Sequence, residues 1–400
     1  MGIINVAGTA FERLGGSNLL PDAERLCVEA QEALGLDDFG SNFLPEALNV
    51  LVNAFQSEGN LTPFGTFATR RRILIALKTR LKVVNELRWA PEILDVPILR
   101  PLAIAGLPRS GTTFLHHLLA QDPEARWLST WEALSPAREP GEVVRSYDTR
   151  EKRARRLKIP VAFASRILPG IKAMHLVEIF GPCEDLPLLE NSFLTDLVLM
   201  PLYRSWYLER ADHLLDATYS DFLEQLRLVT WLSPSNRHWV LKTPSHSYGL
   251  PQLTRVLPNV AIVQVHRDPI EVLNSMCSMS QLIRAVVAPS RQHTILAECV
   301  DWLVESIRRV NQFRGTTAGQ RILDLRYLDL RRDPLAAIRN IYDHFGYHYG
   351  PRFDDRAKRW LALNPQNKRG RHLYDLAPLP LSPLQRATLD EYRATFLTDR

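Results

Sequence analysis

Apolar residues recur at three- and four-residue steps in "FATRRRILIALKTRLKVVNELRW", where Ile73, Leu74, Leu77, Leu81, Val84 and Leu87 share a face and leave arginines and lysines on the other. That period predicts a helix laid on a core, with a solvated basic face. Pro97 and Pro101 then mark a change of texture. The run "PLAIAG" reads as a buried strand closed by Gly-Leu-Pro, and Phe114, Leu115, Leu118 and Leu119 form the stripe of a helix over Thr113 to Ala120 that ends near Asp122-Pro123. Later units repeat this order. In "HWVLKTPSH" Trp239 to Leu241 is a strand entering a polar turn; Val260 to Val265 is a buried-type strand followed by an Asp268-Pro269 helix start. In "RILDLRYLDLRRDPLAAIRNIYDHFG" an alternating strand precedes a second Asp-Pro start at Asp333-Pro334, with Gly346 as the stop.

Strands alternating with helices predict an α/β fold, a mostly parallel sheet flanked by helices on both faces, with ligands at the carboxyl ends of its strands. Residues 1–95 are expected to form a helical region packed on the core, and 96–400 the α/β domain with a helical insertion at about 135–235. The basic run Arg150 to Lys158 in that insertion reads as a solvated helix face.

Composition narrows the classes. With 46% hydrophobic and 23% charged residues, the 400-residue chain can bury a large core, which argues against general disorder. A net charge of +5 permits an anionic ligand but is too small and dispersed for a nucleic-acid surface. The four cysteines show no C-x-x-C pairing and no signal segment opens the chain, so a reducing, cytoplasmic setting is expected. No apolar run approaches the roughly 18 residues that span a bilayer, so no integral membrane segment is expected.

Candidate chemistry concentrates in "GLPRSGTTF", Gly106 to Phe114. Its glycines match the phosphate loop G-x-x-x-x-G-K-[ST], but Thr112 stands at the lysine position. In a P-loop-like strand–loop–helix site, backbone N–H groups and the positive helix end hold the anion. Arg109 supplies a cation, and Ser110, Gly111, Thr112 and Thr113 supply donors for tetrahedral oxygens. No isolated Asp ends an apolar strand where a Mg²⁺ carboxylate belongs, and Asp268 is better explained as a helix cap. No H-e-x-x-h, Cys/His cluster or G-x-S-x-G elbow points to metal or serine chemistry.

These residues resemble the sulfotransferases that use 3′-phosphoadenosine-5′-phosphosulfate (PAPS), most closely the branch with an Arg-Ser-Gly-Thr-Thr loop. "PRSGTTF" looks like their 5′-phosphosulfate loop, and "HRDPIEVLNS" is similar to their 3′-phosphate element, here Arg267 and Ser275. "NKRGRHLYDL" resembles their C-terminal nucleotide loop, which places Lys368, Arg369 and Arg371 near the same phosphate. The resemblance spans roughly Gly106 to Leu376 and implies metal-independent, in-line transfer of a sulfuryl group to a hydroxyl, leaving 3′-phosphoadenosine-5′-phosphate (PAP). It implies Glu132 as the base and Lys242 as the cation on the bridging oxygen, with His246 as an alternative base because Pro244 stands where another branch has histidine. The acceptor, a small molecule, lipid or carbohydrate, is expected to lie against the N-terminal helices and the insertion. Two other readings stay open: a small-molecule kinase with a variant loop, and a nucleotide-binding protein without catalysis.

Overall fold

The computed structural model describes residues 20–142, 151–157, 178–193, 200–290, 292–365 and 381–398. Their five strands are β1 (Leu102–Gly106), β2 (Ala125–Trp127), β3 (His238–Lys242), β4 (Ala261–His266) and β5 (Leu323–Arg326), in the order β2-β3-β1-β4-β5 with all pairs parallel. β1 is central and wholly buried, with Ala103 level with Leu241 of β3 and Ile262 of β4. Alternation divides its side chains between two cores. Leu102 and Ile104 join Val240, Val263 and Leu118 on one face, while Ala103 and Ala105 join Trp239, Leu241 and Phe222 on the other. Burial on both faces is why these strands read as continuous apolar runs.

β2 was not anticipated, since three residues carry no usable alternation; pairing with β3 through Ala125 and His238 defines it. In the fourth unit, the expected alternating strand is short. Only Leu323–Arg326 is extended, and Tyr327–Arg332 turns helical, with Arg326 and Arg332 both reaching Asp329 at three-residue spacing. Asp333 then caps Pro334–Phe345 by accepting from Ala336 N (2.9 Å), and Gly346 closes that helix at φ 69°.

Helices Ala23–Leu34, Pro45–Ser57 and Pro63–Trp89 occupy the N-terminal region, and their Leu26, Leu48 and Leu77 share the core that covers the Ala103 face of β1. The basic face of Pro63–Trp89 is only partly solvated: Arg80 is buried against Asp221 of helix Pro201–Leu232. In the basic run, Arg150 and Lys158 lie outside the described residues, but Arg153 is buried over the Trp131 ring and donates to Ser135 O. Thr62 ties the N-terminal region to the strand-end helices. Its N and Oγ1 donate to Val287 O (3.0 Å) and Val286 O (2.8 Å), at the end of helix Pro269–Val287. No helix among the described residues is long and apolar enough to cross a membrane.

Candidate active site

The carboxyl ends of β1, β3 and β4 converge on one cavity of about 820 Å³. Its polar end is built by the loop after β1. Gly106 has φ 140° and a Cβ there would stand 2.7 Å from Val265 O; Gly111 has φ 99° and a Cβ would stand 2.6 Å from the Tyr327 ring. Both positions exclude side chains on steric grounds. Between them Ser110 Oγ donates to Leu107 O (2.6 Å), while Arg109 adopts φ 64°, a costly left-handed conformation for a non-glycine residue. Helix Thr112–Leu119 starts from Gly111 without a side-chain cap, so its first N–H groups form an anion-accepting end.

Cations arrive from three strand ends. Arg109 Nε donates to Ser275 Oγ (3.1 Å), and Arg267 donates to Arg109 O (2.8 Å) while lying over the Tyr327 ring. Arg109, Arg267 and Ser275, far apart in sequence, thus form one cluster. Asp268 caps helix Pro269–Val287 by accepting from Ile270 N (2.8 Å), and Arg393 holds the same carboxylate (2.9 Å) from helix Pro383–Phe396. Lys242 closes β3 with its side chain buried, donating to Thr113 Oγ1 (3.1 Å) and contacting Glu184. Arg109, Gly111, Thr112, Thr113, Lys242 and Arg267 all line the cavity. Lys368, Arg369 and Arg371 lie outside the described residues.

The two expected bases are placed elsewhere, and neither lines this cavity. Glu132 caps the short helix Thr130–Leu134: its Oε2 accepts from Ser129 N (3.0 Å) and Oγ (2.6 Å), and Arg126 grips both oxygens at 3.1 and 2.7 Å. Burial works against ionisation, but the Arg126 charge and these hydrogen bonds prevail and hold Glu132 below the usual carboxylate range. Such a group is a poor proton acceptor. His246 is wholly buried, with Nδ1 on Tyr219 OH (2.9 Å) and Nε2 on Asp185 Oδ2 (3.2 Å). Each side chain is thus held in a local network of its own. Glu132→Ala is expected to cost about 3–5 kcal/mol in urea unfolding at pH 7, because it strands Arg126. Its native value lies below its unfolded one, so this contribution is present above the unfolded carboxylate range and is lost as pH falls through the folded value; the variant's deficit should shrink in acid.

The carboxylate that does face the cavity beside Lys242 is Glu184, which sequence reasoning missed. "CEDL" has no motif to distinguish it, and pairing across β3 alone reveals it. Asp185 N donates to Lys242 O (3.0 Å) and Asp185 Oδ2 accepts from Lys242 N (2.5 Å), which fixes Glu184 against the lysine side chain. Away from the loop the lining mixes ion pairs, Arg284 with Glu298 and Arg72 with Glu190, with an apolar stripe. Met276, Met279, Ile283 and Val287 form a stripe along helix Pro269–Val287, opposed by Phe55 and Leu61. Of the insertion segments expected near the acceptor, Leu186, Glu190, Met200 and Pro201 line the cavity, Tyr203 and Tyr207 are core, and residues 166–177 and 194–199 lie outside the described residues.

A parallel sheet whose central strand opens into an anion-accepting loop, with arginines and a lysine gathered from other strand ends, defines a group-transfer enzyme of the α/β class. The chain belongs to the Sulfotransferase family, whose profile matches residues 101–351. Sulfotransferase STF9 from Mycobacterium avium is similar in structure, with a TM-score of 0.81 at 26% identity over 94% of this chain and 97% of that one. Sulfotransferase STF1 from Mycobacterium tuberculosis gives 0.77 at 28% identity over 95% and 100%. In sequence the chain is 26% identical over 156 residues to an omega-hydroxy-beta-dihydromenaquinone-9 sulfotransferase, Stf3, of Mycobacterium bovis and Mycobacterium tuberculosis; the match spans 38% of this chain and 38% of those relatives.

Proposed function

We propose that the protein transfers the sulfuryl group of PAPS to the hydroxyl of an apolar small-molecule or lipid acceptor. The observation that carries this reading is the Arg109 bridge. One residue of the loop accepts from Arg267 at its carbonyl and donates to Ser275 from its side chain, which supports reading the two elements as one phosphate-binding site. Arg109, Ser110, Gly111, Thr112 and Thr113 would hold the 5′-phosphosulfate; Arg267 and Ser275 would hold the 3′-phosphate, joined by Lys368, Arg369 and Arg371. Tyr327 fills the space beside Gly111 and lies under the Arg267 guanidinium, which also donates from Nε to Glu271 Oε2 (2.8 Å).

Lys242 would place an ammonium on the bridging oxygen as negative charge builds on the departing phosphate. The methionine-rich stripe supports an apolar acceptor, because flexible thioethers fit varied hydrocarbon shapes. The lipid-modifying activity named for Stf3 accords with this. Phosphoryl transfer is less well supported, since Thr112 supplies no lysine for a triphosphate.

Nucleotide choice tests the reading directly. In a thermal-shift experiment, PAP at about 100 times its dissociation constant should stabilise the protein by roughly 2.7 kcal/mol, with AMP and ATP–Mg²⁺ giving much smaller shifts. PAP performing no better than AMP would sink the proposal.

A further inference from the structure

We propose that the acceptor carries a second, neutral hydroxyl remote from the one that takes the sulfuryl group, and that Arg284 and Glu298 bind it. This rests on the sulfuryl-transfer reading above and narrows its acceptor class. Both side chains line the same cavity as the loop and Lys242. Helix Pro269–Val287 sets their distance from the loop. It runs from Ser275, which Arg109 reaches at 3.1 Å, to Arg284, and a rise of about 1.5 Å per residue separates these two by about 14 Å along the axis. Met276, Met279 and Ile283 line the interval. A molecule lying along this helix therefore presents a reacting end at the loop, an apolar body, and a far end beside a charged pair.

That pair is shielded from water. Glu298, on helix Gln292–Arg314, stands 2.6 Å from Arg284 with side-chain exposures of 11% and 19%, whereas Arg72, which contacts Glu190, is 67% exposed. Burial pushes the Glu298 carboxyl up even with Arg284 beside it. Ser290 steadies the arginine: its Oγ accepts from Arg284 Nη1 (3.3 Å) and donates to Ala288 O (2.9 Å). An ion pair held at the end of an apolar stripe costs desolvation that apolar residues of similar volume would avoid, and a hydrocarbon end laid against it offers neither charge a partner. A guanidinium only donates hydrogen bonds and a carboxylate accepts them. A hydroxyl does both, so a single group can accept from Arg284 and donate to Glu298. An anionic end would meet Arg284 but face the Glu298 charge, which disfavours it.

Transfer of labelled sulfuryl from PAPS to dodecane-1,12-diol, 1-dodecanol, hexane-1,6-diol and 1-hexanol tests this on the wild-type protein. After correction for the diol's two equivalent ends, dodecanediol should exceed dodecanol in kcat/KM at least about 10-fold, chiefly through KM, because bonds to charged groups are lost with the second hydroxyl. Hexanediol should show no such advantage over hexanol, being too short to join the loop to the pair. The double variant Arg284→Met with Glu298→Leu strands no buried charge. It should reverse the order, with kcat/KM for dodecanol rising about 3- to 10-fold and that for dodecanediol falling below it. The wild-type comparison decides the matter even where the double variant fails to fold. Equal use of the two dodecyl alcohols, an equal advantage for hexanediol, or a dodecanediol preference that survives in the double variant would each overturn the inference. So would transfer to none of these alcohols by a protein that binds PAP. A protein that binds PAP no better than AMP would instead overturn the sulfuryl-transfer reading beneath it.

Discussion

Replacing Lys242 by methionine is expected to lower turnover by about 10²–10³-fold while the protein still binds PAP, because the interaction removed is made chiefly as charge develops on the leaving phosphate. Methionine keeps most of the side-chain volume at a position with 1% exposure, so the packing around β3 survives. PAP keeps the former bridging oxygen on its 5′-phosphate, so some PAP affinity is lost with the lysine, but Arg109, Arg267 and Ser275 are untouched and that loss should be smaller than the loss of rate. Steady-state rates together with PAP calorimetry separate the two effects. An equal loss of PAP affinity and rate would place Lys242 in nucleotide holding; an unchanged rate would remove it from the chemistry.

Asp221→Ala is expected to carry a large stability effect. The Arg80 guanidinium, 5% exposed, donates to Phe39 O (2.6 Å) and to both Asp221 oxygens, and it lies over the Phe43 ring. Removing the carboxylate leaves a buried cation with one carbonyl and a ring, which should cost about 3–5 kcal/mol in urea unfolding. Arg80→Met with Asp221→Leu should restore much of that loss, since a matched apolar pair carries no desolvation penalty. Glu224 reports the same site. Burial, and then the Asp221 charge, push its carboxyl up to about 7, so its neutral form contributes stability below the unfolded carboxylate range that is lost as pH rises towards 7. With Asp221 gone, the second of these causes disappears and this loss should lessen. A pH series of unfolding midpoints checks it, and an Asp221→Ala variant as stable as wild type would show that the pair contributes nothing net.

The Arg80 pair also marks where pattern reading stops. A period of 3.6 says which side of Pro63–Trp89 faces a core, but it assigns every arginine on the other side to water. Whether one of them meets Asp221, 141 positions away, depends on how helix Pro201–Leu232 crosses it. The same holds for bases. Glu132 and His246 sit at positions that sequence likeness favours, yet each is consumed locally, by Ser129 and Arg126 in one case and by Tyr219 and Asp185 in the other. A carboxylate's chemistry follows from its neighbours, and spacing along the chain does not list them.

Short-range chemistry was legible. The apolar runs of β1, β3 and β4, the Asp268 and Asp333 caps, the Gly346 stop and the glycine-bounded loop each depend on residues within a few positions of one another, so steric and hydrogen-bonding rules acting locally determine them. What the tertiary structure decided is which charges face one cavity. Arg109 meets Ser275 across 166 positions because β1 and β4 lie side by side, and Lys242 meets Glu184 across 58 because Asp185 bonds to the end of β3; both contacts are invisible to any local period. The sequence by itself therefore determined the loop that can hold an anion, and only the packing of strand ends decided which lysine and which carboxylate stand beside it.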